Sequence, residues 1–168
     1  RARRRARQRG VRAGDDAVGA DLDNIAAIFG ITRFTLTPAD ASTGAAAVME
    51  SDTDFRRRMV LAPEGYSVAG PEGSYIFHAL SADADILDAS ASSPSPGEVL
   101  VSILSREGSG AASAALVAKV DHYLSDVTRR PLTDLVTVQS AAIINYDVVA
   151  TLHTYRGPDA DIVLDAAR

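Results

Sequence analysis

Residues 98–104, EVLVSIL, constrain the fold of this chain more than any other stretch. The run is rich in Val, Leu and Ile and apolar on both faces apart from Ser102, so it reads as a buried strand. PSPG at residues 94–97 is turn chemistry, and SREGSG at 105–110 reads as a loop. Around this strand the period of the sequence changes. ILDASASS, from residue 86, and LVTVQSA, from residue 135, read as further strands. In IINYDVVATLHTY, Ile144, Tyr146, Val148, Ala150 and Leu152 alternate with Asn145, Asp147, Thr151 and His153, which predicts a long half-buried strand. Between them Leu116, Val117, Val120 and Leu124 recur at helical spacing and predict a helix lying on the sheet. A last helix is expected to open at Pro158.

The first half of the chain is helical in period. Leu22, Ile25, Ala26 and Phe29 make one apolar stripe over roughly residues 20–29, with Gly30 in place to end the helix. Residues 33–50, with Pro38 and Gly44 among many Ala, Thr and Ser, read as a loop or linker. Ser51 and Asp54 come close to a capping box for a second helix, which Pro63 should end. In AGPEGSYIFHALSAD, residues 69–83, Pro71 and Glu72 suit a helical first turn, and Tyr75, Ile76, Ala79 and Leu80 form its stripe.

The fold class expected is therefore α+β: short N-terminal helices, then a β-β-α-β-β-α sandwich with helices on one face of a mostly antiparallel sheet. Three regions follow: a basic and helical segment with linker over 1–50, a helical connector over 51–84, and a small α+β domain over 85–168. The start without Met and the stop at VLDAAR read as a portion of a longer chain. A content of 46% hydrophobic residues supports a packed core, but aromatics are 5% and Trp is absent, so that core must rest on Val, Ile, Leu and Ala. With no cysteine, disulfides, thiolate metal sites and cysteine nucleophiles are excluded. No apolar run approaches the roughly 18–20 residues that cross a bilayer.

Charge is unevenly spread. Seven of the 17 basic residues lie within residues 1–12, which leaves ten against 22 acids in the remainder. That body does not look like a nucleic-acid surface. The run itself, with Arg3, Arg4, Arg5, Arg7 and Arg9, offers an alternative reading as a nucleic-acid or anion-binding module. GSGAAS at 108–113 nearly matches a dinucleotide fingerprint, but three polar residues separate it from the strand and no clear βαβ unit surrounds it. The plainer reading is a connection that caps the next helix with Ser113. His78, His122 and His153 lie on different elements without metal-ligand spacing, and His78 reads as a residue at the edge of the core. Arg56, Arg57 and Arg58 span about 200° of a helix, so at least one should point inward or across an interface.

The blocks GADLDNIAAIFGITR, FRRRMVLAPEGYSVAGPEGSYIFHALSADADILDASASSPSPGEVLVSILSREGSG and RRPLTDLVTVQSAAIINYDVVATLHTY together resemble the baseplate assembly protein J family of contractile-tailed phages and prophages. The resemblance runs from about Gly14 to the C-terminus, with the order of segments kept. It implies a wedge component of the tail baseplate in the virion, assembled in the bacterial cytoplasm. It implies other wedge and tail proteins as partners, self-association in the assembled plate, and no enzyme activity, cofactor or metal. What carries over is a packing role for residues 55–87. The expected interface and packing residues are Phe55, Arg56, Arg57, Arg58, Tyr66, Tyr75, Phe77 and His78.

Overall fold

The computed structural model describes residues 17–147 apart from Val68 and Ala69, together with Val149 and Thr151. The arginine run, His153 and the helix expected from Pro158 lie outside the described residues. Helix α1 spans Gly19–Ala27 and buries Leu22 and Ala26 from the expected stripe. Helix α2, Asp52–Leu61, begins where Ser51 Oγ accepts the Asp54 amide at 3.1 Å. It gives way at Pro63 to a 3₁₀ turn, Ala62–Tyr66. Leu22, Ala26, Phe55 and Met59 form a first core between α1 and α2.

Where residues 33–50 were expected as a loop or linker, the chain forms a small hairpin. Strands β1 (Thr35–Thr37) and β2 (Val48–Met49) pair antiparallel. Strands this short leave too few alternations for a period to be read. The turn is held by Asp40, whose carboxylate accepts bonds from the Ser42 amide (2.8 Å) and hydroxyl (2.6 Å) and from the Thr43 hydroxyl (2.8 Å). These bonds, the Ser42 hydroxyl first, bring the Asp40 pKa down to about 2. A depressed folded value means that the ionised side chain supports the turn above its unfolded pKa of about 3.9. That support is lost as pH falls through about 2. The Ser42 amide resonance should therefore titrate with a midpoint near the lower value. A midpoint at the ordinary carboxylate position would show that the side chain does not hold the turn.

Helix α3, Glu72–Ala82, starts after Pro71, whose carbonyl accepts the Ser74 amide at 3.0 Å. It is followed by β3 (Ile86–Ser92), β4 (Glu98–Ser105), α4 (Ala114–Leu124) and β5 (Leu135–Ser140). The sheet order is β3-β4-β5. Strands β3 and β4 are antiparallel, with Ala89 opposite Ile103 and Ala91 opposite Val101. Strands β4 and β5 are parallel, with Val101 opposite Val138. Helix α3 packs on β3, α4 packs on β5, and the two helices touch each other, so they share one face of the sheet. The second core lies under them: Tyr75, Ala79 and Leu80 from α3, Val120 and Leu124 from α4, and Ile86, Ala89, Val101, Ile103, Val136 and Val138 from the sheet. It rests on Val, Ile, Leu and Ala with one aromatic. The α+β class holds.

Two strand expectations are corrected. EVLVSIL is buried on one face only: Val101, Ile103 and Ser105 face the helices, while Leu100, Ser102 and Leu104 are half-buried on the open side. Residues 142–147 form no strand. The chain leaves the sheet after the Ala141 amide bonds the Ile103 carbonyl at 2.8 Å. Beyond it Ile144 and Tyr146, expected on a buried face, are 84% and 83% exposed. Alternation marks a segment able to pair, but among the described residues no strand stands beside this one.

Candidate interaction site at the aromatic cleft

The arginine triplet on α2 sends its three side chains in three directions, as the helical rotation requires. Arg56 donates to the Ala17 carbonyl ahead of α1. Arg57 reaches Asp88 on β3 at 2.5 Å. Arg58 turns inward and is 4% exposed. It pairs with Glu50, itself 3% exposed, through bonds of 2.6 and 3.2 Å, and donates to the Thr32 carbonyl at 2.7 Å. Glu50 also accepts the Phe34 amide at 3.1 Å. The Arg58 guanidinium lies 4.2 Å from the Phe34 ring centre, and Arg33 lies 4.7 Å from that of Phe55. Arg33 in turn pairs with Asp23 and Asp52 at 2.9 and 2.8 Å. The triplet therefore ties α2 to α1, to the hairpin and to the sheet. Glu50 and Arg33 were not among the expected residues. A polar residue in a polar loop carries no sequence signal that it will be buried.

Beside this network a cleft of about 390 Å³ opens between the first core and the α3–α4 layer. Phe29 and Phe34 line one side, Phe77, His78 and Tyr123 another, with Arg58, Gly65, Tyr66 and Ser81 between them. Tyr66 donates its hydroxyl to the Phe29 carbonyl at 3.2 Å. The His78 ring meets Phe77 edge-on at 5.3 Å and Tyr123 at 6.4 Å. Burial, and then the charge of Arg129, push the His78 pKa below its ordinary value, against a hydrogen bond with the Gly65 backbone. At neutral pH the imidazole is therefore uncharged. Among the described residues no Asp or Glu lines the cleft.

Gly65 stands so close to Phe77 that a β-carbon on it would lie 2.2 Å from the ring. Gly65→Ala is expected to destabilise the fold by about 1–3 kcal/mol, the usual cost of overpacking. Thermal unfolding checks this, and Phe77→Ala in the same chain should recover part of the loss. Gly70 and Gly73 were expected to allow a sharp turn or a close approach. Gly70 has φ +76°, and a β-carbon there would meet the Pro131 ring at 2.9 Å; at Gly73 it would meet the Glu64 side chain at 2.9 Å. Tyr75 uses the same junction and donates its hydroxyl to Asp134 at 2.6 Å. Burial, then Asp134, raise its pKa, which keeps the phenol a proton donor.

The glycine loop does sit in a parallel β4-α4-β5 unit, contrary to expectation, because the helix crosses back over the sheet. Several of its polar groups are nevertheless committed. The Ser105 amide bonds the Gly110 carbonyl at 2.8 Å, and the Gly110 amide bonds Glu107 at 3.0 Å. The Ala112 amide bonds Ser140 Oγ at 2.9 Å. Ser113 Oγ accepts the Leu116 amide at 3.2 Å as the helix cap. A phosphate cradle needs several such amides aimed at the anion. Among the described residues no group of three or more His, Cys, Asp or Glu is placed to hold a metal, and no helix is long and apolar enough to cross a membrane.

A ββαβ sheet with two helices on one face and a helical connector leading into it is the architecture now on view, and residues 67–140 match the Baseplate J-like central domain. The match covers this central segment, 74 of the 168 residues. Over 153 residues, 90% of the chain, it is 51% identical to Baseplate protein J of Escherichia phage P2. The chain spans about half the length of that curated relative, 51% of it.

Proposed function

We propose that this chain is a structural component of a phage tail baseplate, working through protein–protein interfaces in the wedge. The observation that carries the reading is the identity to Baseplate protein J across nearly the whole chain. The geometry is compatible with it: Phe55, Arg56, Arg57 and Arg58 are spent on joining α2 to its surroundings. Tyr66, Phe77 and His78 border an open cleft suited to contact with another chain. On this reading the protein acts in the virion tail after assembly in the bacterial cytoplasm, and self-associates in the finished plate. It takes no cofactor and carries out no catalysis. The sheet stays rigid while the connector changes partners as the baseplate opens.

Co-expression with the products of neighbouring reading frames, then purification and light-scattering mass, tests the proposal. A defined complex with tail proteins that persists in moderate salt is the expected result. A lone chain that carries nucleic acid and loses it as salt rises would replace this reading with the arginine-run alternative.

A further inference from the structure

The Tyr123 ring on α4 is shared by two basic groups. The Arg129 guanidinium lies 3.8 Å from its centre and the His78 ring 6.4 Å from it. The two are held unequally. His78 belongs to α3, meets the Phe77 ring at 5.3 Å and shares a hydrogen bond with the Gly65 backbone. Arg129 comes from the turn after α4, and its guanidinium is held through Nη1, by Asp126 at 3.1 Å and the Tyr123 carbonyl at 3.2 Å. Both side chains of that ion pair are partly open to solvent, and such a pair contributes little. The other groups about His78 would not offset a proton there. From α2 comes Arg58, itself a cation and already paired with Glu50. From the 3₁₀ turn comes Tyr66, whose hydroxyl is given to the Phe29 carbonyl, while Glu64 of that turn lies against Gly73. Phe29 and Phe34 bring only rings.

We propose that Arg129 is a pH-sensitive strap: it lies over Tyr123 while His78 is uncharged, and a proton on His78 drives its guanidinium off the ring and opens that side of the cleft. A charged imidazole competes with Arg129 for the same ring and is repelled by it, and burial adds a demand for water. The side that yields is the one less firmly held. His78 is fixed by α3 and by the Gly65 bond, which a charge on the ring strengthens. Arg129 loses only a solvent-exposed ion pair and one carbonyl bond, both of which water replaces. The direction follows from the two effects that oppose the proton, burial first and then Arg129. The ring charges only as pH falls below its ordinary value of about 6.5, so the strapped form belongs to neutral pH and is lost toward acid. Asp126 does not take part, because its bonds to Thr128, the amide first, hold it below the ordinary carboxylate range. The inference rests on the cleft and not on the baseplate reading, which its failure would leave standing.

The test is NMR titration of the whole chain between about pH 8 and pH 4.5, following the His78 ring, the Tyr123 ring and the Arg129 Nε–Hε group. The His78 signals are assigned by their loss in His78→Gln. All three groups should change together, with one midpoint below the ordinary histidine value. In Arg129→Gln the His78 midpoint should move up, because the repulsion is gone. This side chain is partly exposed, so the variant should fold as before, and its unfolding curve checks this. In His78→Gln the Arg129 and Tyr123 signals should no longer respond. Because the chain has no cysteine, Ser81→Cys supplies a single thiol in the cleft wall, at a hydroxyl that is buried without a partner. Its reaction with dipyridyl disulfide should quicken toward acid relative to the same thiol in the Ser81→Cys/His78→Gln chain. An Arg129 response that follows a carboxylate midpoint, a His78 midpoint unmoved by Arg129→Gln, or a thiol that reacts alike in the two chains would each overturn the proposal.

Discussion

Arg58→Met should lower the stability of the chain by about 3–5 kcal/mol, the cost of leaving a buried carboxylate without its partner. Glu50 is as deeply buried as Arg58 and cannot turn to water when the guanidinium is removed. It keeps the Phe34 amide as a donor but loses two charge-assisted bonds. The Thr32 carbonyl loses its donor as well. Removing both charges together, as Glu50→Gln with Arg58→Met, should cost much less than Arg58→Met alone, because no unpaired charge remains. Denaturant unfolding of the single and double variants checks this. Equal losses in the two would mean that the packing of the Arg58 stem, and not its charge, supports the hairpin.

Phe55→Ala should cost about 3–5 kcal/mol, as for other fully buried aromatic side chains. The ring is 0% exposed and lies at the centre of the first core with Leu22, Ala26 and Met59. It also serves two cations, with Arg33 at 4.7 Å and Arg58 at 5.3 Å from its centre. Phe55→Leu keeps most of the volume and loses those contacts, so its smaller loss measures the cation–π share. Since Phe55 and Arg58 touch, the two truncations should not add. Hydrogen exchange should show the damage from Phe55→Ala concentrated in α1 and α2, with β4 protected. Uniform loss of protection would show that the two cores unfold as one unit.

The elements that sequence made legible are those whose burial follows a period. Leu22 and Ala26 on α1, Tyr75, Ala79 and Leu80 on α3, and Val120 and Leu124 on α4 lie in the core where their spacing put them. The caps at Ser51 and Ser113 were readable because a hydroxyl before a helix has few other uses. Other features are set by partners distant in sequence. The hairpin depends on Asp40 folding back on Ser42 and Thr43. The parallel pairing of β5 depends on where α4 delivers the chain. The exposure of Ile144 goes with there being no strand beside it among the described residues. At the cleft, sequence named Arg58, Tyr66, Phe77 and His78 but missed Phe29, Phe34 and Tyr123, which come from three other segments.

Helix α2 is joined to the sheet side by two ion pairs, Arg57 with Asp88 and Arg106 with Asp54 at 2.9 Å. Each is partly open to solvent. Ions in the medium therefore reach this seam, while the cores on either side of it are held by apolar contact that salt does not screen. These two ion pairs should therefore weaken as ionic strength rises, while the apolar contact of Leu61 on α2 with the second core remains.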